Sequence, residues 1–266
     1  MKTRNATAAA HTPPWGWAGA GALAGALLAT VVFAPARWLA TAVQGASGER
    51  VRLTEVRGSV WQGSALLVLS GGEGSGAAMA LPGRVNWRLR PRWDGLAVRL
   101  QADCCTPQPL QLRARLAGWG SLQLSLADGV SHWPASLLVG LGTPWNTVQP
   151  EGQLTLSSQG FGAQWAAGRL NLAGRVQLDA LQISSRLSTL QPMGSYRLTV
   201  LGGSASAFQV ATLEGSLQLK GQGQWVGQRL HFEGEASAAP DRVEALSNLL
   251  NILGRRDGPR SIIKIG

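Results

Sequence analysis

Three histidines, two adjacent cysteines and a scatter of carboxylates are the side chains of this sequence suited to acid–base, nucleophilic or metal chemistry. His11 stands in the leading segment, His132 at the start of an expected helix, and His231 on the polar side of an expected strand. A protein metal centre gathers several such ligands at short spacing, and none of the three has that spacing with another His, Cys or carboxylate. A Ser/His/Asp site is assembled by the fold, so spacing alone leaves it open. The nucleophile-elbow pattern G-x-S-x-G, however, is missing. The glycine-rich stretch Gly71 to Gly76 lacks the lysine–serine partner and the strand-to-helix setting of a phosphate cradle. The neighbours Cys104 and Cys105 exclude a disulfide framework and a multi-cysteine zinc site. In an oxidising compartment they would form a vicinal disulfide; as paired thiols they would sit in a loop before Pro107 and Pro109, and the loop reading is favoured. The sequence thus nominates no catalytic, cofactor-binding or metal residue and no cofactor, and a non-enzyme is expected.

With chemistry so sparse, the elements carry the information. Residues 15 to 36 (WGWAGAGALAGALLATVVFAPA) are free of charge, a run of the length one helix needs to cross a bilayer. Lys2 and Arg4 precede it and Arg37 follows. A cleavable signal peptide has a shorter apolar run and a small-residue cleavage site such as Ala40-Thr41-Ala42, but Arg37 and Trp38 would then intervene awkwardly. A buried globular helix is disfavoured by Gly16, Gly19, Gly21 and Gly25. An uncleaved anchor over 15–38 is expected, with Trp15, Trp17 and Trp38 at its interfaces. Positive charge on the short tail 1–14 would hold that tail in the cytoplasm and place 39–266 outside it. The small residues of the run also suit pairing with another helix.

Beyond the anchor the chain alternates. Val85, Trp87 and Leu89 oppose Asn86, Arg88 and Arg90; Leu96, Val98 and Leu100 follow, then Leu110, Leu112, Ala114 and Leu116, then Leu122, Leu124 and Leu126. A period of two marks half-buried strands. Further strands are expected at 153–156, 169–172, 175–183, 196–201, 213–219 and 229–235, and a closing strand with Ile262, Ile263 and Ile265. Short helices are expected at 131–141 and 240–253, the second with Val243, Leu246, Leu250 and Leu253 on one face and Gly254 as its stop. No fixed repeat length defines a solenoid. The expected fold is mostly β: an antiparallel, curved, meander-like sheet with one N-terminal membrane helix and a short C-terminal helix. The net charge of +10 comes from arginines that read as singly spaced on the solvent face, which argues against nucleic acid. It leaves room for attraction to an anionic membrane or an acidic partner.

At its glycine- and tryptophan-rich blocks the chain resembles type II secretion system protein N, the general secretion pathway N family. The matching pieces are Gly58-Ser59-Val60-Trp61-Gln62-Gly63, Leu81 to Arg88, Leu141 to Thr147, Pro192 to Tyr196, Gly215 to Leu219, Gly221 to Gly227, Leu230 to Ala236 and Ala245 to Arg256. The resemblance runs in order along nearly the whole chain. It implies a single-span inner-membrane protein of the Gram-negative envelope with a periplasmic β domain, an accessory part of the machine that secretes folded proteins. Other secretion subunits and inner-membrane lipid are then the expected partners, with self-association open. Trp61, Trp87 and Trp225 are expected to fill the sheet interior beside glycines. The alternative function is a periplasmic lipid-binding or lipid-bridging module with a leucine-lined β groove. The two part on whether the leucine face is covered or open.

Overall fold

The computed structural model describes residues 15–266 apart from 73, 119, 167, 204, 205, 227 and 228. The segment 1–14, with Lys2, Arg4 and His11, lies outside the described residues. Helix α1 (Trp15–Val32) has no buried residue and is the one described helix long and apolar enough to cross a membrane. The single anchor helix expected to reach residue 38 is in fact broken. Pro35 has no N–H to donate, and a second helix, α2 (Ala36–Ala46), starts after it. Its inward positions Ala36, Leu39, Ala40 and Val43 follow helical spacing, and Ala36 and Leu39 pack on Ala65, Trp87 and Leu53. Residues 39–46, just past the expected anchor, are therefore part of a helix packed on the sheet.

The rest is one antiparallel sheet of sixteen strands among the described residues, ordered almost as the chain runs. Strands β1 (Val51–Gly58), β2 (Gln62–Ser70), β4 (Val85–Arg92), β5 (Gly95–Ala102), β6 (Leu110–Leu116) and β7 (Leu122–Leu126) form the first half. The three-residue β3 (Ala78–Ala80) pairs with the far end of β2. Strands β9 (Glu151–Ala166), β10 (Arg169–Ser184), β11 (Gly194–Leu201), β12 (Ala207–Gly215), β13 (Leu217–Val226), β14 (Arg229–Ala238), β15 (Arg255–Asp257) and β16 (Arg260–Ile265) form the second. The halves meet along β9. Its first part pairs with β8 (Gly129–Pro134) and its last part with β7, while β10 runs its full length.

Three expectations change here. Residues 131–141 are not one helix: Ser131 to Pro134 lie in β8, where Trp133 faces Leu154, and a 3₁₀ helix follows at Ala135–Leu141. The expected strand 213–219 is split in two: 213–215 close β12 and 217–219 open β13, with the turn at Ser216 after Gly215, whose φ is 119°. Strand β9 continues well past residue 156, because a bulge keeps its leucine face in phase. Gly160 and Phe161 stand opposite Gly174 alone, and any side chain at Gly174 (φ 71°) would meet the Gly160 carbonyl.

The apolar face carries three clusters. Helix α4 (Val243–Leu253) buries Leu246, Leu249 and Leu250 against Met193, Tyr196, Leu217 and Ala236. Leu137 of the 3₁₀ helix joins Leu81, Ala102 and Cys105. The α2 cluster around Trp87 is the third. Phe232 reaches across β13 to meet Phe208 edge-on, at 5.5 Å between ring centres. Gly221 and Gly223 leave the space that this ring occupies.

Two polar groups on this frame give measurable consequences. The Tyr196 hydroxyl is buried and has no hydrogen-bond partner among the described residues, and burial pushes its phenol well above the ordinary value. A buried, unpaired hydroxyl costs free energy, so Tyr196→Phe is expected to be neutral or to stabilise by about 1 kcal/mol; a clear loss in denaturant unfolding would show that the hydroxyl has a partner. On the other face, Arg197 donates to both Asp179 oxygens at 2.7 and 2.9 Å, which holds the carboxyl below its ordinary value. The folded value lies below the unfolded one, so this contribution is full at neutral pH and lost as pH falls through the folded value. The stability gap between the native chain and Asp179→Asn is therefore expected to shrink on acidification, as read by unfolding at a series of pH values.

Candidate functional site

His132 and His231 do not come together. His132 sits on β8, with Nδ1 3.1 Å from the Thr155 hydroxyl. His231 is exposed on β14, on the face opposite the buried Phe232. Among the described residues no group of three or more His, Cys, Asp or Glu is placed to hold a metal ion. Cys104 and Cys105 are joined as a vicinal disulfide rather than paired thiols. Cys105 is buried against Leu81 and Leu137, and its carbonyl accepts from the His132 backbone N–H at 2.7 Å, so this turn fastens β8 to the first half of the sheet. Of the tryptophans expected inside, Trp87 is buried at 4 % exposure, while Trp61 and Trp225 are half-buried.

What the fold assembles instead is surface. The arginines read as singly spaced along the sequence are gathered by strand pairing. Arg88 faces Arg99 across β4 and β5; Arg90 and Arg113 both pair with Ala97; Arg92 and Arg115 both flank Gly95. All six lie exposed on one face of three adjacent strands. Asp94, in the turn after β4, takes Arg115 at 2.9 Å and Arg92 at 3.6 Å. Arg88, Arg90, Arg99 and Arg113 have no carboxylate partner among the described residues. Like charges placed directly opposite one another on a sheet repel, so this surface gains when an anion covers it. Counting positions two apart within each strand, then aligning adjacent strands, would have found the cluster; reading along the chain does not.

The apolar face is only partly closed. The 3₁₀ helix and α4 cover the end at which β9 begins, and α2 lies along β1 and over Ala65 and Trp87. Toward the other end Leu116 is 75 % exposed, Leu122 40 %, Leu124 45 % and Trp165 45 %. These are cross-strand neighbours: Leu116 faces Leu122, and Leu122 and Leu124 face Trp165 and Ala163. Among the described residues the strand order ends at unpaired backbone on both sides. On one side it is the outer side of β1. On the other it is the outer side of β15 and, since β15 pairs only with Arg260 to Ile262, the last part of β16. Polar residues of the last strands, among them Gln209, Gln222, Glu233 and Lys264, line a shallow depression of about 560 Å³ on the outer face.

The description type II secretion system (T2SS), protein N, is that of the family matching residues 49–263. That span takes in β1 and all but the final residues of β16. No curated protein and no solved structure is significantly similar to the chain.

Proposed function

The chain belongs to the type II secretion system protein N family, and from that premise we propose that it is a non-catalytic assembly component, anchored in the inner membrane by α1, whose β domain contacts other secretion subunits in the periplasm. Family membership makes it an accessory part of type II secretion. The finer reading divides the chain into a cytoplasmic tail 1–14, an anchor beginning at residue 15, and a periplasmic unit up to 266 that includes α2.

The observation that carries it is the open sheet with strand edges at β1 and at the end of β16. An exposed edge offers unpaired backbone donors and acceptors, to which a partner strand adds. A second reading is supported by the partly open leucine face: binding or passing lipid along it, with Leu116, Leu122, Leu124 and Trp165 as the apolar contacts.

In-cell cross-linking of the full-length protein at native level, followed by mass spectrometry, separates them. The assembly reading expects links to secretion subunits concentrated on β1 and on residues 263–266. Links only between copies of the chain make it a self-associating component and overturn contact with other subunits. Co-purified lipid without protein links sinks the assembly reading and leaves the leucine face as the working surface.

A further inference from the structure

We propose that the end of the sheet bearing the β4–β5, β6–β7 and β9–β10 connections rests on the phospholipid surface of the bilayer that α1 spans. This rests on the reading of α1 as an anchor, but extends it from a tether to a defined orientation of the domain.

The end of α1 meets the sheet at the β1–β2 turn. The Trp61 indole N–H donates to the Val31 carbonyl at 2.8 Å, and the Val60 backbone N–H to the Ala34 carbonyl at 2.8 Å. Pro35 bridges Ser59. The last turn of α1 is therefore tied to the β1–β2 turn and not left on a free linker. The Leu89 N–H in turn donates to the Trp61 carbonyl at 2.7 Å, which sets β4 level with the point where α1 ends. From there the β4–β5 hairpin runs on to Trp93 and Asp94, roughly 13 Å at about 3.3 Å per residue. Because neighbouring strands alternate in direction, the turns after β6 and β9 lie at this same end.

The chemistry of that end is distinct. Trp93, in the turn itself, is 94 % exposed, and Trp38 at the start of α2 is half exposed. Leu116 and Trp165 are large apolar residues at the ends of β6 and β9, beside their turns. Indole rings and leucines of this kind favour the boundary between headgroups and acyl chains. On the adjoining face Arg90 and Arg113 lie within four residues of the turns and have no carboxylate partner among the described residues. Guanidinium groups take phosphate oxygens in paired hydrogen bonds. The carboxylate nearest these turns, Asp94, is already held by Arg92 and Arg115. The opposite end of β4 to β6 carries the loop 103–109, with Asp103 bonded to Asn86 and no tryptophan.

The test uses the full chain in vesicles of phosphatidylethanolamine and phosphatidylglycerol, with a benzoylphenylalanine photo-cross-linker at one position at a time. Positions 93 and 116 probe the proposed rim, 108 the far end, and 28 the anchor. Several-fold more lipid adduct at 93 and 116 than at 108 is the expected result, falling toward the level at 108 when Arg90→Glu and Arg113→Glu are combined. Labelling at 28 with none above background at 93 and 116 overturns the rim contact while leaving the anchor intact. Absence of labelling at 28 overturns the anchor and with it the proposed orientation. Protein adducts in place of lipid at 93 overturn the proposal.

Discussion

Leu250→Ala is expected to destabilise the protein by about 3 kcal/mol, within the range of about 2–5 kcal/mol for truncating a fully buried leucine. Leu250 is wholly buried, as is Leu246, and Leu249 is nearly so. Together they press α4 onto Met193, Tyr196, Leu217 and Ala236, residues drawn from three separate stretches of the second half. The Ser261 hydroxyl of β16 donates to the Leu250 carbonyl, so the last turn of α4 is pinned by backbone as well as by side chain. Little room exists for the site to collapse around a lost isobutyl group, because β14 and β16 are held in register on the far side. Leu250→Met, which conserves volume, is expected to cost under about 1.5 kcal/mol. Denaturant unfolding of the full chain followed by tryptophan fluorescence reads both; equal small effects would mean that α4 is not docked.

Trp87→Ala has a comparable expected cost, about 4 kcal/mol, for a different reason. The ring is buried between α2 and β2, lying over Gly63, where a Cβ would clash with the indole. Its N–H is shared between the carbonyls of Ser59 and Val60 at 3.3 and 3.1 Å. Truncation removes both the packing and the tie that shapes the turn receiving α1. Trp87→Phe keeps most of the packing and loses the donor, so a cost of about 1 kcal/mol is expected. Trp87 and Leu250 belong to separate clusters in separate halves. If β9 joins those halves into one cooperative unit, both variants shift a single transition; two resolved transitions, each moved by one variant, would show that the halves unfold independently.

The strands were legible where alternation is strict, as at 85–90 and 110–116, because one face of an antiparallel sheet is buried and the pattern records it. Alternation failed where two strands meet at a turn without breaking phase. Leu213, Leu217 and Leu219 keep a period of two straight through Gly215, so the turn between β12 and β13 is silent in the pattern. The bulge at Gly160 and Gly174 hid the length of β9 by the opposite effect, adding one residue that spoils the count. Helix α2 was missed because it abuts the apolar run of α1, and Pro35 is the sole sign of the break. The C-terminal helix was clear from Leu246 and Leu250, though Leu249 is just as buried. At the level of the site, the type of surface was visible as arginine and leucine faces. Their assembly was not, since which arginines meet depends on strand register and not on distance along the chain.

One consequence of the topology concerns synthesis. Nearly every strand pairs with the strand made just before it, and α1 is the first described element. A segment emerging after α1 therefore mostly finds the growing sheet presenting as its open edge the strand completed last. No strand has to wait for a distant partner, so exposed backbone is covered in the order in which it appears. β4 and β16 each reach past a three-residue strand, β3 or β15, to the strand before it, and the larger exception is β9, whose last part reaches past β8 to β7. It is the point where the nascent sheet must hold one half in place until sixteen further residues of β10 lock the seam.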